Sequence, residues 1–325
     1  MLHPMRLRGS HMPQWFYKAL MVLATAIWGL GTVVVKAAVG EVSPAWIVGF
    51  RFLAAGILLG VIMAPKLLHR LDGKHLMAGA VLGVLLFLSY GTNTLGLTDT
   101  SASNSAFLTT FYVVIIPFLN WVIAKVRPTR FTITAALLCM VGLGFVAYSG
   151  SSGFSLRFGD AVTLLSAFFL SLHVIMTAKL APGCSVTVLT IVQFLVAGVM
   201  GFAFGAVTEP VPDFASFGAE TWGNLIYLAV FASCLAILLQ NVGVAHTEPA
   251  QASLFLSLES VFGVLFAVLF LGEMPSPAAY IGFGLIFCGI IFSECIPLRF
   301  EKRKAVKAAA EEELREIEES DASVR

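Results

Sequence analysis

Charge is what this 325-residue chain has least of: 12% of its residues are Asp, Glu, Lys or Arg, against 58% hydrophobic. A soluble globular domain carries about twice that charged fraction, so the composition excludes that class and leaves a polytopic membrane protein. The net charge of +1 gives no reason to expect a nucleic-acid partner. Cysteine is equally unhelpful to any redox or metal reading. The five thiols, Cys139, Cys184, Cys234, Cys288 and Cys295, are scattered, odd in number and without a C-x-x-C spacing, so they read as packing residues. Also missing are H-E-x-x-H, G-x-S-x-G and any Cys/His cluster. A membrane-embedded enzyme would need such converging groups, and no cofactor or metal is called for.

What the sequence does contain is apolar runs of spanning length. Ten can be read, at 15–39, 44–64, 75–98, 101–123, 130–148, 159–181, 185–206, 222–246, 249–271 and 277–297. Gly9-Ser10-His11-Met12 reads as a cloning remnant, which sets residues 1–12 aside. The first run is too long for a signal-peptide core and is kept as a helix. Cations sort to one side: Lys18, Lys66, Arg70, Lys74, Lys125, Arg127, Arg130 and Lys179, then Arg299, Lys302, Arg303, Lys304 and Lys307. Arg157 stands alone on the other side among Glu41, Glu209, Asp213 and Glu220. By the positive-inside rule both termini are cytoplasmic. The 207–221 stretch is expected to be a simple connector, and 299–325 a charged cytoplasmic tail.

The chain also repeats. Phe52-Leu53-Ala54-Ala55-Gly56 recurs as Phe194-Leu195-Val196-Ala197-Gly198, and Asn93, Ala102 and Phe107 recur as Asn241, Ala250 and Phe255. Each half is therefore five helices, 13–148 and 159–298, joined by a linker at 149–158. Five being odd, the second half enters from the opposite side. Inverted repeats of this kind are the architecture of secondary transporters, with the site near the bilayer midplane.

At the middle of the ninth run stands one acid, Glu259, about 15 Å from the segment start and close to the centre of a hydrocarbon layer about 30 Å thick. A carboxylate there is unfavourable by at least a few kcal/mol, approximately. It either pairs with Arg51, which lies at a similar depth, or faces a cavity, where it exchanges protons or holds a substrate ammonium. Other intramembrane groups carry the same double reading. Lys36 snorkels to the interface or gates; His173 packs or relays protons; Asn93 and Asn241, mirror-related near opposite faces, cap or gate.

Trp28-Gly29, Lys36, Ser43-Pro44 and Arg51-Phe52 resemble the opening of EamA-type members of the drug/metabolite transporter superfamily. Gly96-Leu97 followed by Ala102 and Ala106, and Leu271-Gly272-Glu273 followed by Pro275, Ile281-Gly282 and Gly289, resemble later passages of the same pattern. The likeness covers residues 15–297. It implies ten helices, alternating access, and a cavity lined mainly by helices 1, 3, 4, 6, 8 and 9. On those helices lie Trp28, Tyr90, Phe111, Tyr112, Phe169, His173, Ser257 and Glu259, the expected substrate-binding set. Helix 4 carries Pro117, but Ser260 stands after Glu259 where the family often has Pro, so a weaker bend is expected in helix 9.

The function expected is secondary active transport of a small organic metabolite, amino-acid-like in the first reading and a choline-like cation or drug in the second. A channel or a membrane-embedded enzyme is the competing class. The partners implied are a small-molecule substrate and the lipid bilayer, with protons as a further candidate and a monomer as the simplest assembly. The expected location is the plasma membrane, as in a bacterial inner membrane.

Overall fold

The computed structural model describes residues 12–125, 127–128, 130–147, 157–246, 255–289 and 291–292. Residues 1–11 of the expected cloning remnant, the Ala250 repeat mark, most of the expected 149–158 linker and the expected charged tail lie outside the described residues. All regular structure among the described residues is helical. In chain order the elements are α1 (Gln14–Ala38), α2 (Pro44–Ile62), α3 (Ala64–Arg70), α4 (Gly73–Gly96), α5 (Ala102–Thr110), α6 (Tyr112–Ala124), α7 (Arg130–Ala147), α8 (Phe158–Leu180) and α9 (Val186–Thr208). Then α10 (Ala219–Ile226) runs through a π-helical segment (Tyr227–Leu235) into α11 (Ala236–Ala245), followed by α12 (Leu258–Leu271) and α13 (Pro277–Gly289).

Seven of the described helices, counting α5 with α6 and α10 through α11 as single rods, are long and apolar enough to cross a membrane; three apolar helices are shorter. The exterior of the bundle is oily, as with Val207, Trp15 and Phe270, which suits lipid rather than water. Helix starts follow local chemistry. Pro44 occupies the first turn of α2, where its missing N–H is harmless. Asp72 and Ser101 accept the His75 and Asn104 backbone N–H groups at the starts of α4 and α5.

The repeated motifs meet each other. Leu195 packs over Gly56 while Leu53 packs over Gly198, and the Phe52 and Phe194 rings lie 5.3 Å apart. As residue number rises along α2, that of the partner on α9 falls, from Trp46 against Gly205 to Gly60 against Ile191. The two helices are antiparallel, and the contact is reciprocal in the manner of a two-fold axis passing between them. Glycine permits the approach: a Cβ at Gly83 of α4 would lie 2.6 Å from the Val196 Cβ of α9.

One end of the bundle is laced by polar contacts between the two halves. Glu273 accepts from the Ala102 and Ser103 backbone N–H groups at 2.7 and 2.9 Å and from Ser103 Oγ at 2.6 Å. Glu209 accepts from Ala45 N, Asp99 from Gly159 N, and Thr100 and Thr221 hydroxyls donate to Asp160 and Glu41. Carboxylates at helix N-termini meet the positive end of the macrodipole. The 207–221 stretch is more than a connector: Phe214 and Phe217 pack into an aromatic cluster with Trp46, Phe50 and Trp222. Its apolar rings find partners there, which composition in Pro, Gly and acids conceals. At the opposite end Lys74 Nζ donates to Pro182 O and Ser185 N donates to His75 Nε2.

Candidate functional site

A cavity of about 420 Å³ lies between the halves. Its wall runs from Val35 and Asn93, near the laced end, to Thr177 and Val186 at the other.

Arg51 enters from α2. It is buried, and its Nε donates to Ser233 Oγ at 2.9 Å, while its Cζ sits 4.7 Å from the Tyr90 ring centroid and 5.3 Å from that of Phe52. Ser233 belongs to the π-helical segment, where its hydroxyl donates to Leu228 O five residues back, at 2.9 Å. A π-turn breaks the i→i+4 ladder and frees carbonyls for other donors. Trp28 Nε1 takes up that opportunity, donating to Ala232 O at 2.7 Å, and Tyr227 OH donates in the reverse direction to Ile27 O at 2.8 Å. The π-segment thus orients both Arg51 and the Trp28 indole.

Glu259 enters from α12. A one-residue turn at Ser257, whose backbone keeps right-handed helical dihedrals, precedes α12, and Glu259 stands two residues beyond it. This is the span numbered helix 9 in the sequence, and Ser260, not proline, follows Glu259. Ser260 Oγ donates to Ser257 O at 2.9 Å. Glu259 lines the cavity with Arg51, and among the described residues no ion pair joins them.

On the α8 and α9 side, His173 Nε2 and Gln193 Oε1 are 2.8 Å apart, with the tautomer bearing the proton on Nε2 the one that donates to the amide oxygen. Asn93 Nδ2 donates to Thr109 Oγ1 at 2.8 Å.

Of the residues expected at the site, Trp28, Arg51, Tyr90, Asn93, Tyr112, His173, Asn241 and Glu259 line this cavity. Phe111 instead packs into the core around Phe107 and Phe283, and Phe169 lies edge-on to Phe168. Ser257 is buried at the helix break, off the wall. Lys36 also lies off it, at the laced end, where Nζ donates to Leu97 O and Thr100 O, both at 2.7 Å. Thr32, Thr177, Thr190 and Gln193 are wall residues the sequence reading does not single out. Helix α9, the seventh of the ten runs read from the sequence, is outside the implied cavity set, yet it contributes Val186, Thr190, Gln193 and Phe194. Gln193 had a legible signal, being an amide inside an apolar run.

Among the described residues no group of three or more His, Cys, Asp or Glu is arranged to hold a metal. The wall offers hydrogen-bonding groups, one acid, one arginine and aromatic faces, which is equipment for holding a solute.

Known proteins agree with that reading. The EamA-like transporter family pattern matches residues 15–148 and again 157–294. An uncharacterized transporter of Archaeoglobus fulgidus is 32% identical over 273 residues, covering 83% of each chain. An S-adenosylmethionine/S-adenosylhomocysteine transporter of Chlamydia muridarum is 27% identical over 309 residues, covering 85% of this chain and 91% of the relative. A chain in a solved crystal structure superposes with a TM-score of 0.64 at 16% identity, over 88% of this chain and 98% of that one, a likeness of fold alone. With one pattern matched twice along its length, the chain belongs to the EamA-like transporter family and is a multi-pass membrane transporter of the drug/metabolite type, not an enzyme.

Proposed function

We propose that this chain is a secondary active transporter of a small organic metabolite with an amino-acid-like head, working by alternating access around the Glu259 cavity. Its ten spans form two inverted five-helix repeats in the plasma membrane, with both termini cytoplasmic. The antiparallel, reciprocal packing of α2 on α9 supports the inverted arrangement. The observation that carries the functional reading is Glu259 itself: an acid on the cavity wall, without an ion-pair partner among the described residues. A site near the midplane where the repeats meet is how such carriers hold their solute.

Aromatic faces of Trp28, Tyr90 and Tyr112 beside that acid favour a second reading, an organic cation held by cation–π contact. The named substrates of the Chlamydia relative both carry an α-amino-acid head, and one of them also carries a sulfonium cation. Counterflow in proteoliposomes tests the proposal: exchange of a labelled amino acid, S-adenosylmethionine or choline across a sealed bilayer supports a carrier. Conduction without saturable exchange would point to a channel and defeat it. The same vesicles with an imposed pH gradient report proton coupling and the direction of net flux.

A further inference from the structure

We infer that the cavity selects zwitterions by two-point charge recognition, with Arg51 taking the solute's carboxylate and Glu259 its ammonium. The inference rests on the carrier reading and narrows its substrate class.

Among the described wall residues, Glu259 is the one carboxylic acid and Arg51 the one arginine or lysine. Opposite charges brought into a low-dielectric site ordinarily neutralise each other, because each left unpaired is unfavourable by several kcal/mol, approximately. Here they do not. Arg51 uses Nε on Ser233 and one face on Tyr90. Its two Nη groups have no hydrogen-bond partner among the described residues, and neither is sealed from the cavity. Glu259 likewise makes no hydrogen bond to the described residues and lies on the same wall.

The Arg51 fork is held rather than free. Ser233 is tied to Leu228 O, and the Tyr90 ring lies under the guanidinium. A planar guanidinium held from one edge presents its remaining edge in the geometry that suits a carboxylate bidentately. An organic cation in this cavity would satisfy Glu259 and leave Arg51 facing a like charge, whereas an organic anion would do the reverse. A solute with both groups satisfies both. A volume of about 420 Å³ leaves room beyond an amino-acid head for a side chain against Trp28 or Tyr112.

The test is equilibrium binding to the purified full chain in detergent, using methionine, phenylalanine and S-adenosylmethionine. For the first two the decarboxylated amine and the N-acetyl acid are run alongside, and choline is the simple cation. The expected result is that at least one amino acid binds about tenfold or more tighter than its own amine and its own N-acetyl acid. Arg51→Gln should erase the advantage over the amine only, and Glu259→Gln the advantage over the N-acetyl acid only. An amine, or choline, binding as tightly as any zwitterion overturns the inference, as does failure of all three zwitterions to bind. The half-ligand comparison needs no variant, so a misfolded substitution does not rescue the idea. Choline counterflow lost in Glu259→Gln would keep the carrier and remove zwitterion selection. Selective binding of a zwitterion without counterflow would keep the site and remove the carrier.

Discussion

Arg51 and Glu259 share one cavity wall without forming an ion pair. Arg51 is engaged by Ser233 and Tyr90 instead. Their charges act on each other through the cavity without direct contact. In a double-mutant cycle on thermal stability with Arg51→Gln and Glu259→Gln, the coupling energy is expected at about 0.5–1.5 kcal/mol. Coupling of about 3 kcal/mol or more would mean that the two form a direct buried pair in the empty carrier.

Close packing between the halves makes opposite predictions for two glycines. A methyl group at Gly83 would meet Val196 Cβ at 2.6 Å and Gln193 O at 2.9 Å, whereas nothing lies within 4 Å of one at Gly223 in α10. Gly83→Ala should destabilise by about 1–3 kcal/mol through overpacking. Gly223→Ala should stabilise by about 0.5–1 kcal/mol through helix propensity. Thermal unfolding in one detergent reads both; equal shifts would contradict the helix contact.

The laced end depends on carboxylates that cap helices of the other half. Glu273→Ala removes an acceptor from two backbone N–H groups and one hydroxyl, and should lower stability by about 1–3 kcal/mol. Ser103→Ala removes only one of those bonds and should lower it by about 0.5–1.5 kcal/mol. A Ser103 effect equal to that of Glu273 would show that the backbone cap contributes little.

At the opposite end, Asp72 accepts the His75 backbone N–H at 2.9 Å and approaches the ring Nδ1 at 2.7 Å. These bonds hold its carboxyl below the usual carboxylate range, the backbone bond being the larger cause. A depressed folded-state value means the contribution is complete above the unfolded value and fades as pH falls through the folded one. The stability difference between the native chain and Asp72→Ala should therefore be flat above about pH 5 and shrink below about pH 4. A difference that grows in acid would reverse the sign and sink the assignment.

Much of this architecture is legible in the residues because lipid leaves the backbone few options: an apolar run of spanning length must be a helix. The repeat of Phe52–Gly56 at Phe194–Gly198 is legible too, and its two copies lie against each other. The helix irregularities are not. The π-segment at Tyr227–Leu235 contains no proline, and it goes with tertiary hydrogen bonds to Trp28 and Arg51 that local propensity does not register. Phe111 and Phe169 illustrate the opposite limit. In a chain with 27 phenylalanines, helix membership alone does not say whether a ring faces solute or core. Lys36 reads from sequence as snorkelling or gating, and its bonds to the Leu97 and Thr100 carbonyls depend on a turn whose position only the fold supplies.

The most direct measurement is exchange by Glu259→Gln in proteoliposomes, at matched insertion and thermal stability, with whichever solute the native chain exchanges. The account predicts less than about a tenth of native exchange, the loss of one charge-assisted contact to the solute. Native-level exchange by that variant would contradict it.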